Sequence, residues 1–104
     1  MSSGVLKTKV GSFMGTGAAQ DIALDFNPRY VRTWNGDTME AVEQHAENAV
    51  TGKEGGYKSG ADGVRAGLAA GAGIVLGTRK FTVGTDAGCN KASKVVFFEA
   101  VEGI

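Results

Sequence analysis

Hydrophobic and polar positions alternate along most of this chain, and glycine or asparagine interrupts the alternation at short intervals. Val5, Lys7 and Lys9 alternate with Leu6, Thr8 and Val10, and Phe13 and Met14 extend that run. Ile22, Leu24 and Phe26 fall on one side of a period-two segment, with Ala23 and Asp25 on the other. From Arg29 to Trp34, the residues Tyr30, Arg32 and Trp34 share one side, and Arg29, Val31 and Thr33 share the opposite one. Ile74–Leu76, Phe81–Val83 and Val95–Phe98 are shorter apolar runs, rich in β-branched and aromatic residues. A period of two is the signature of a half-buried strand.

The interruptions carry turn chemistry. Asn27-Pro28 initiates a turn, and proline brings no N–H to a ladder. Asn35-Gly36 predicts a tight hairpin of type I′, in which both central residues take positive φ. Gly15-Thr16-Gly17 and Gly77-Thr78-Arg79-Lys80 mark further turns. Gly84, Asp86, Gly88 and Asn90 suit an ordered polar loop between two strands. Many short strands joined by glycine turns predict an all-β protein, a small antiparallel β-sandwich of jelly-roll-like character. Two segments resist the pattern. Met39, Val42, Ala46, Ala49 and Val50 also fit a helical stripe, among residues that favour helix. Thr51 to Gly63 holds five glycines and reads as one long Gly-rich loop, 51–63, either functional or mobile. Val64 to Gly73 is rich in small residues and has no clear period.

The motifs also resemble a family. Phe81-Thr-Val-Gly-Thr-Asp86, then Asn90, then an aromatic strand closing in Glu99-Ala100, is similar to the end of small bacteriophage virion structural proteins. Gly15-x-Gly17, Ile22-x-Leu24, Phe26-x-Pro28 and Val31-Arg32 resemble the stretch that leads into the first hairpin of that family. The resemblance implies a virion protein with a β-domain fold. Together with the Asn-Gly turn, it favours strand over helix for Thr38 to His45.

Composition narrows the classes. A chain of 104 residues fits one domain, 1–104, with residues 1–4 expected to be flexible. Hydrophobic content of 42% and charged content of 21% suit a folded domain. The 17 glycines follow no period, which excludes collagen. Eleven basic and eleven acidic side chains give a formal net charge of zero. Phosphate binding needs a surplus of Lys and Arg, so nucleic acid is not the expected partner. Near-zero charge also favours association. A single cysteine, Cys89, excludes a disulfide scaffold and points to synthesis in a reducing cytoplasm. Met1 to Thr8 has no apolar core of a signal peptide. The most apolar stretch, Val64 to Leu76, is broken by glycines and Arg65 and is too short to span a bilayer. No membrane partner is expected.

Catalytic patterns fail on inspection. Gly15-Thr16-Gly17 begins a dinucleotide fingerprint, but Gln20 stands at the third glycine. Gly52-Lys53 begins to look like a phosphate loop, but Glu47 and Glu54 occupy required positions. His45 is the sole histidine, too few soft ligands surround it for zinc, and no nucleophile elbow occurs. Glu40, Glu43 and Glu47 could suggest paired acids, yet a strand puts Glu40 on the opposite face from the other two. Asp86 and Asn90 read as loop caps. The expectation is a protein without catalytic residues, metal or cofactor.

Tyr and Trp are frequent interface anchors. Trp34, beside a turn, and Tyr57, in the glycine-rich loop with Lys53 and Lys58 around it, are therefore the candidate partner-contact residues. Phe13, Phe26, Phe81 and one of Phe97 or Phe98 are the candidate core aromatics. With the resemblance, these features give one functional expectation. The chain is a capsid decoration (cement) protein on the virion surface, made in the host cytoplasm. It would bind the major capsid protein, bridge capsid subunits and associate with itself as a homotrimer. A receptor- or glycan-binding module of a phage tail or head fibre is the alternative.

Overall fold

The computed structural model describes residues 7–60 and 62–103. The expected flexible start, Met1 to Gly4, lies outside them, as do Val5 and Leu6 of the first predicted strand. The architecture is two antiparallel sheets face to face, the small β-sandwich that the period-two runs predict. One sheet has six strands in the order β1 (Thr8–Met14), β9 (Val95–Glu102), β3 (Pro28–Asn35), β4 (Ala41–His45), β5 (Tyr57–Ser59) and β6 (Arg65–Gly67). The other has three, β2 (Gln20–Ala23), β8 (Lys80–Val83) and β7 (Ile74–Gly77). A single helical turn, α1 (Ala87–Asn90), sits in the predicted polar loop and is capped by Asp86, whose carboxylate accepts from the Gly88 N–H at 2.8 Å.

The core lies where the alternating residues of the two sheets meet. Val31, Val42, Phe98 and Ala100 come from the larger sheet, and Ile74, Phe81 and Val83 from the smaller one. Leu24, Phe26 and Cys89 close its edges. Phe81 and Phe98 pack with ring centroids 5.3 Å apart, and Phe13 meets both. Each such side chain contributes about 1.5–3 kcal/mol by leaving water.

Two expectations are corrected. The β3–β4 connection is longer than a two-residue type I′ turn. Asn35 N–H donates to the Glu40 carbonyl and Met39 N–H to the Asn35 carbonyl, both at 2.8 Å. The left-handed residue is Met39 (φ 63°), and neither Asn35 nor Gly36 takes positive φ. The reason is that Asn35 is a fully buried strand residue. Its amide donates to the Ala87 carbonyl at 2.9 Å, and its side-chain oxygen accepts from Asp37 N–H at 2.7 Å. Segment 51–63, expected as one long loop, contains β5. Gly55 N–H donates to the Leu68 carbonyl and Ile74 N–H to the Gly55 carbonyl, each at 2.8 Å. Gln44, buried, reaches the carbonyls of Glu54 and Ile74 through its amide. Gly56 makes this approach possible: its φ is 93°, and a Cβ there would collide with the Glu43 carbonyl. The glycines serve close backbone packing here.

Candidate functional site

Successive strand residues point to opposite faces, so the register fixes which side chains share the outer face of the six-stranded sheet. Ser12, Phe97, Trp34, Ala41 and Ser59 lie in one row across it. Val10, Glu99, Arg32, Glu43 and Tyr57 lie in the next. Met14 pairs with Val95 beyond the first row. The smaller sheet packs on the opposite, inner face, and none of the described elements covers the outer one.

The β1–β9–β3 half of this face carries an apolar and aromatic cluster beside Ser12, Arg32 and Glu99. Val10 is 67% exposed, Met14 56%, Val95 41% and Phe97 39%. Trp34 stacks on Phe97 with centroids 5.8 Å apart and planes inclined by 24°. The Arg32 guanidinium lies over the Trp34 ring at 5.2 Å from its centroid. Such cross-strand aromatic pairs are rigid and preorganised, which lowers the entropy lost on contact. The β4–β5–β6 half is polar. Tyr30 hydroxyl donates to Glu43 at 2.9 Å, and Arg65 approaches the same carboxylate at 3.4 Å. Burial, then the hydrogen bond to Glu43, pushes the Tyr30 hydroxyl up to about 12.

Of the four residues singled out from the sequence, Trp34 stands at the centre of the aromatic half. Tyr57, half-buried, shares the face from β5. The Lys53 stem fills the space that a side chain at Gly67 would take, beside the β5–β6 ladder where Gly67 opposes Tyr57. Lys58 points to the other face. Its ammonium is 2.9 Å from Glu40 and 3.1 Å from Asp86, so its charge is used within the fold. Val10, Met14, Arg32, Val95 and Phe97 were missed. The adjacent pair Phe97-Phe98 held the signal: in a strand one of two neighbours must face outward, but the phase is not written in an unbroken apolar run.

The groups with possible chemistry are each committed elsewhere. Glu40 binds Lys58, Glu43 binds Tyr30, and Glu47 binds Arg29 at 2.8 Å. Asn90 is buried and saturated. Its amide donates to the Ala18 and Gly84 carbonyls, and its oxygen accepts from Thr16 N–H and the Gln20 amide. Burial, with Asp86 nearby, pushes the Cys89 thiol up to about 12, away from the thiolate a nucleophile needs. Among the described residues no three His, Cys, Asp or Glu side chains gather to hold a metal. No described helix is long and apolar enough to cross a membrane. No family model matches the chain, and neither does any curated protein or solved structure.

Proposed function

We propose that this chain is a binding module that docks onto a protein assembly through the outer face of its six-stranded sheet. The observation that carries this reading is the stack of exposed Phe97 on half-buried Trp34, continued by the exposed Val95, Met14 and Val10. A protein that had no partner for this face would gain solubility by making it polar. The motif resemblance to phage virion proteins supplies the assembly: the outer surface of a capsid, with the chain as a decoration protein contacting the major capsid protein. Many copies, each bridging neighbouring subunits, would stiffen a shell by avidity without any chemistry. Aromatic anchors with Arg32 stacked on them, and the charged Glu43 and Arg65 on the flanking polar half, match the general anatomy of a protein interface.

A glycan-binding fibre module would use the same aromatics differently, by stacking a sugar on an open ring. Arg32 already lies over Trp34, which favours the protein-docking reading. The test is electron microscopy of virions of the encoding phage, labelled with antibody to this chain. Label spread over the shell is the expected result. Label confined to fibres would replace the reading with the glycan one, and virions without label would overturn it.

A further inference from the structure

The six-stranded sheet has one long free edge. β1 is seven residues long, whereas the other outermost strands, β6, β2 and β7, have three, four and four. β1 contains no proline, and its register with β9 runs without a shift. Proline, bulges, shortness and charged side chains are the usual means of blunting an edge; of these β1 has one, Lys9, on the face away from Val10 and Met14. No strand pairs with its open side among the described residues.

The register also identifies which backbone groups are free. Glu102 N–H donates to the Lys7 carbonyl and Gly15 N–H to the Lys94 carbonyl, both at 2.8 Å and both on the β1–β9 register. Hydrogen-bonded and non-bonded pairs alternate in an antiparallel ladder. Lys9, Gly11 and Phe13 therefore bond to β9, and the N–H and C=O groups of Thr8, Val10, Ser12 and Met14 point away from it, the Met14 carbonyl accepting there from the Gln20 amide at 3.0 Å. These four residues are placed symmetrically about Gly11.

We propose that two copies of this chain join β1 to β1, antiparallel, with Gly11 on the twofold axis. In that register Thr8 pairs with Met14 of the mate and Val10 with Ser12, so all four outward residues of each copy find a partner, the Met14 carbonyl taking a second donor beside the Gln20 amide. Registers centred on Lys9, Val10 or Ser12 leave one or more of them unpaired. A register centred on Lys9 would also set lysine against lysine, whereas centring on Gly11 sets Lys9 against Phe13. The contact is isologous, as twofold symmetry requires. Two six-stranded sheets become one, and the exposed Val10 and Met14 of each copy come to lie beside the Ser12 and Thr8 of the other, which brings the two apolar clusters together on one face. A twofold pair saturates the edge, which a threefold ring of β1 strands does not. The proposal does not depend on what the face docks against.

Amide hydrogen exchange on the unaltered chain, read across a dilution series, is the first test. Thr8, Val10, Ser12 and Met14 amides should be protected at high concentration and exchange freely on dilution. Lys9, Gly11 and Phe13 amides should stay protected throughout. Light scattering should give twice the chain mass, falling to one chain mass on dilution. The second test reads the register by charge. Val10→Lys with Ser12→Lys sets like charges opposite each other twice and should weaken pairing about tenfold. Val10→Lys with Ser12→Glu should restore it. A monomer at every concentration, a three-chain species, or a dimer indifferent to both charge pairs would overturn the proposal.

Discussion

The two sheets turn very different outer faces to solvent. On the three-stranded sheet, Asp21 on β2 accepts from the Lys80 ammonium at 2.8 Å and from the Thr82 hydroxyl at 2.7 Å. That face carries one exposed apolar side chain, Val75, opposite Thr82, and is otherwise polar or small, with its charges answered locally. On the six-stranded sheet the corresponding positions of β1, β9 and β3 carry Val10, Met14, Val95, Phe97 and Trp34. Both sheets build the same core from their inner faces, so folding alone does not demand the difference. An aromatic outer face adds little to the stability of an isolated chain and raises its tendency to associate. Its retention on one side and not the other is the physical ground for reading that side as a contact surface.

Neighbours on one strand give the sharpest way to break this comparison. Phe98 is 3% exposed and Phe97 39%. Phe98→Ala should cost about 3–5 kcal/mol in urea denaturation, the usual cost of emptying a core aromatic site. Phe97→Ala should cost about 1 kcal/mol or less, the surface part of an aromatic pair. Equal losses would mean that the outer face is structural and its exposure incidental.

Docking should show the reverse order. Trp34→Ala should weaken co-sedimentation with shells by about 2 kcal/mol, roughly thirtyfold, as interface anchors do, with the circular dichroism of a β protein unchanged. Thr82→Ala on the other outer face should leave docking as it was. If both variants bind alike, the aromatic face is not the contact.

A smaller effect separates internal charges from surface ones. Lys58, with Glu40 and Asp86, ties β5 to the β3–β4 loop and to the α1 cap. Hydrogen bonds from Lys58 and Thr38 hold the Glu40 carboxyl below its ordinary 4.5. A depressed carboxyl contributes stability above its unfolded value and loses it as pH falls through the folded one. Burial works against the Lys58 charge, but its bonds to the two carboxylates prevail and hold it above 10.5. That contribution is complete below 10.5 and fades as pH rises through the folded value. Lys58→Met should cost about 1–2 kcal/mol at neutral pH, since it leaves two partly buried carboxylates without their donor, and should flatten the acid limb of the stability curve. The Asp21–Lys80 pair is 55% and 45% exposed. Asp21→Asn should shift the urea midpoint within experimental error, and added salt should erase any difference.

Gly36→Ala gives the finest test of the aromatic stack. A Cβ there would fall 3.0 Å from the Phe97 ring and 3.3 Å from the Val95 carbonyl. The ring must shift, so docking should fall a few-fold while the β3–β4 hairpin persists, because Gly36 does not use positive φ. A collapse of the fold would show that Gly36 holds the turn itself.

Much of the fold was legible in the chain because its signals are local. Period-two runs named most of the strands, and glycine, asparagine and proline named most of the turns. Asp86 and Asn90 were readable as caps from their side-chain chemistry alone. Trp34 and Tyr57 were readable as candidates because amphipathic aromatics beside turns are seldom buried whole. The rest depended on partners distant in sequence. Alternation says that Phe97 and Phe98 face opposite ways, but the core side was set by Phe81 arriving from the other sheet. Asn35-Gly36 specifies a bend, but Ala87, 52 residues away along the chain, captured the Asn35 side chain and lengthened the loop. Glycines at 51–63 announce freedom, but hydrogen bonds to Leu68 and Ile74 and the Gln44 amide turned that freedom into close packing. The sequence by itself determined most of the strands, their polarity pattern and most of the turn residues, since these follow from backbone and side-chain preferences within a few positions. Tertiary structure alone decided which faces are buried, that Lys58 is spent inside the fold, and that β1 is the outermost of the described strands of its sheet, because each of these depends on long-range pairing.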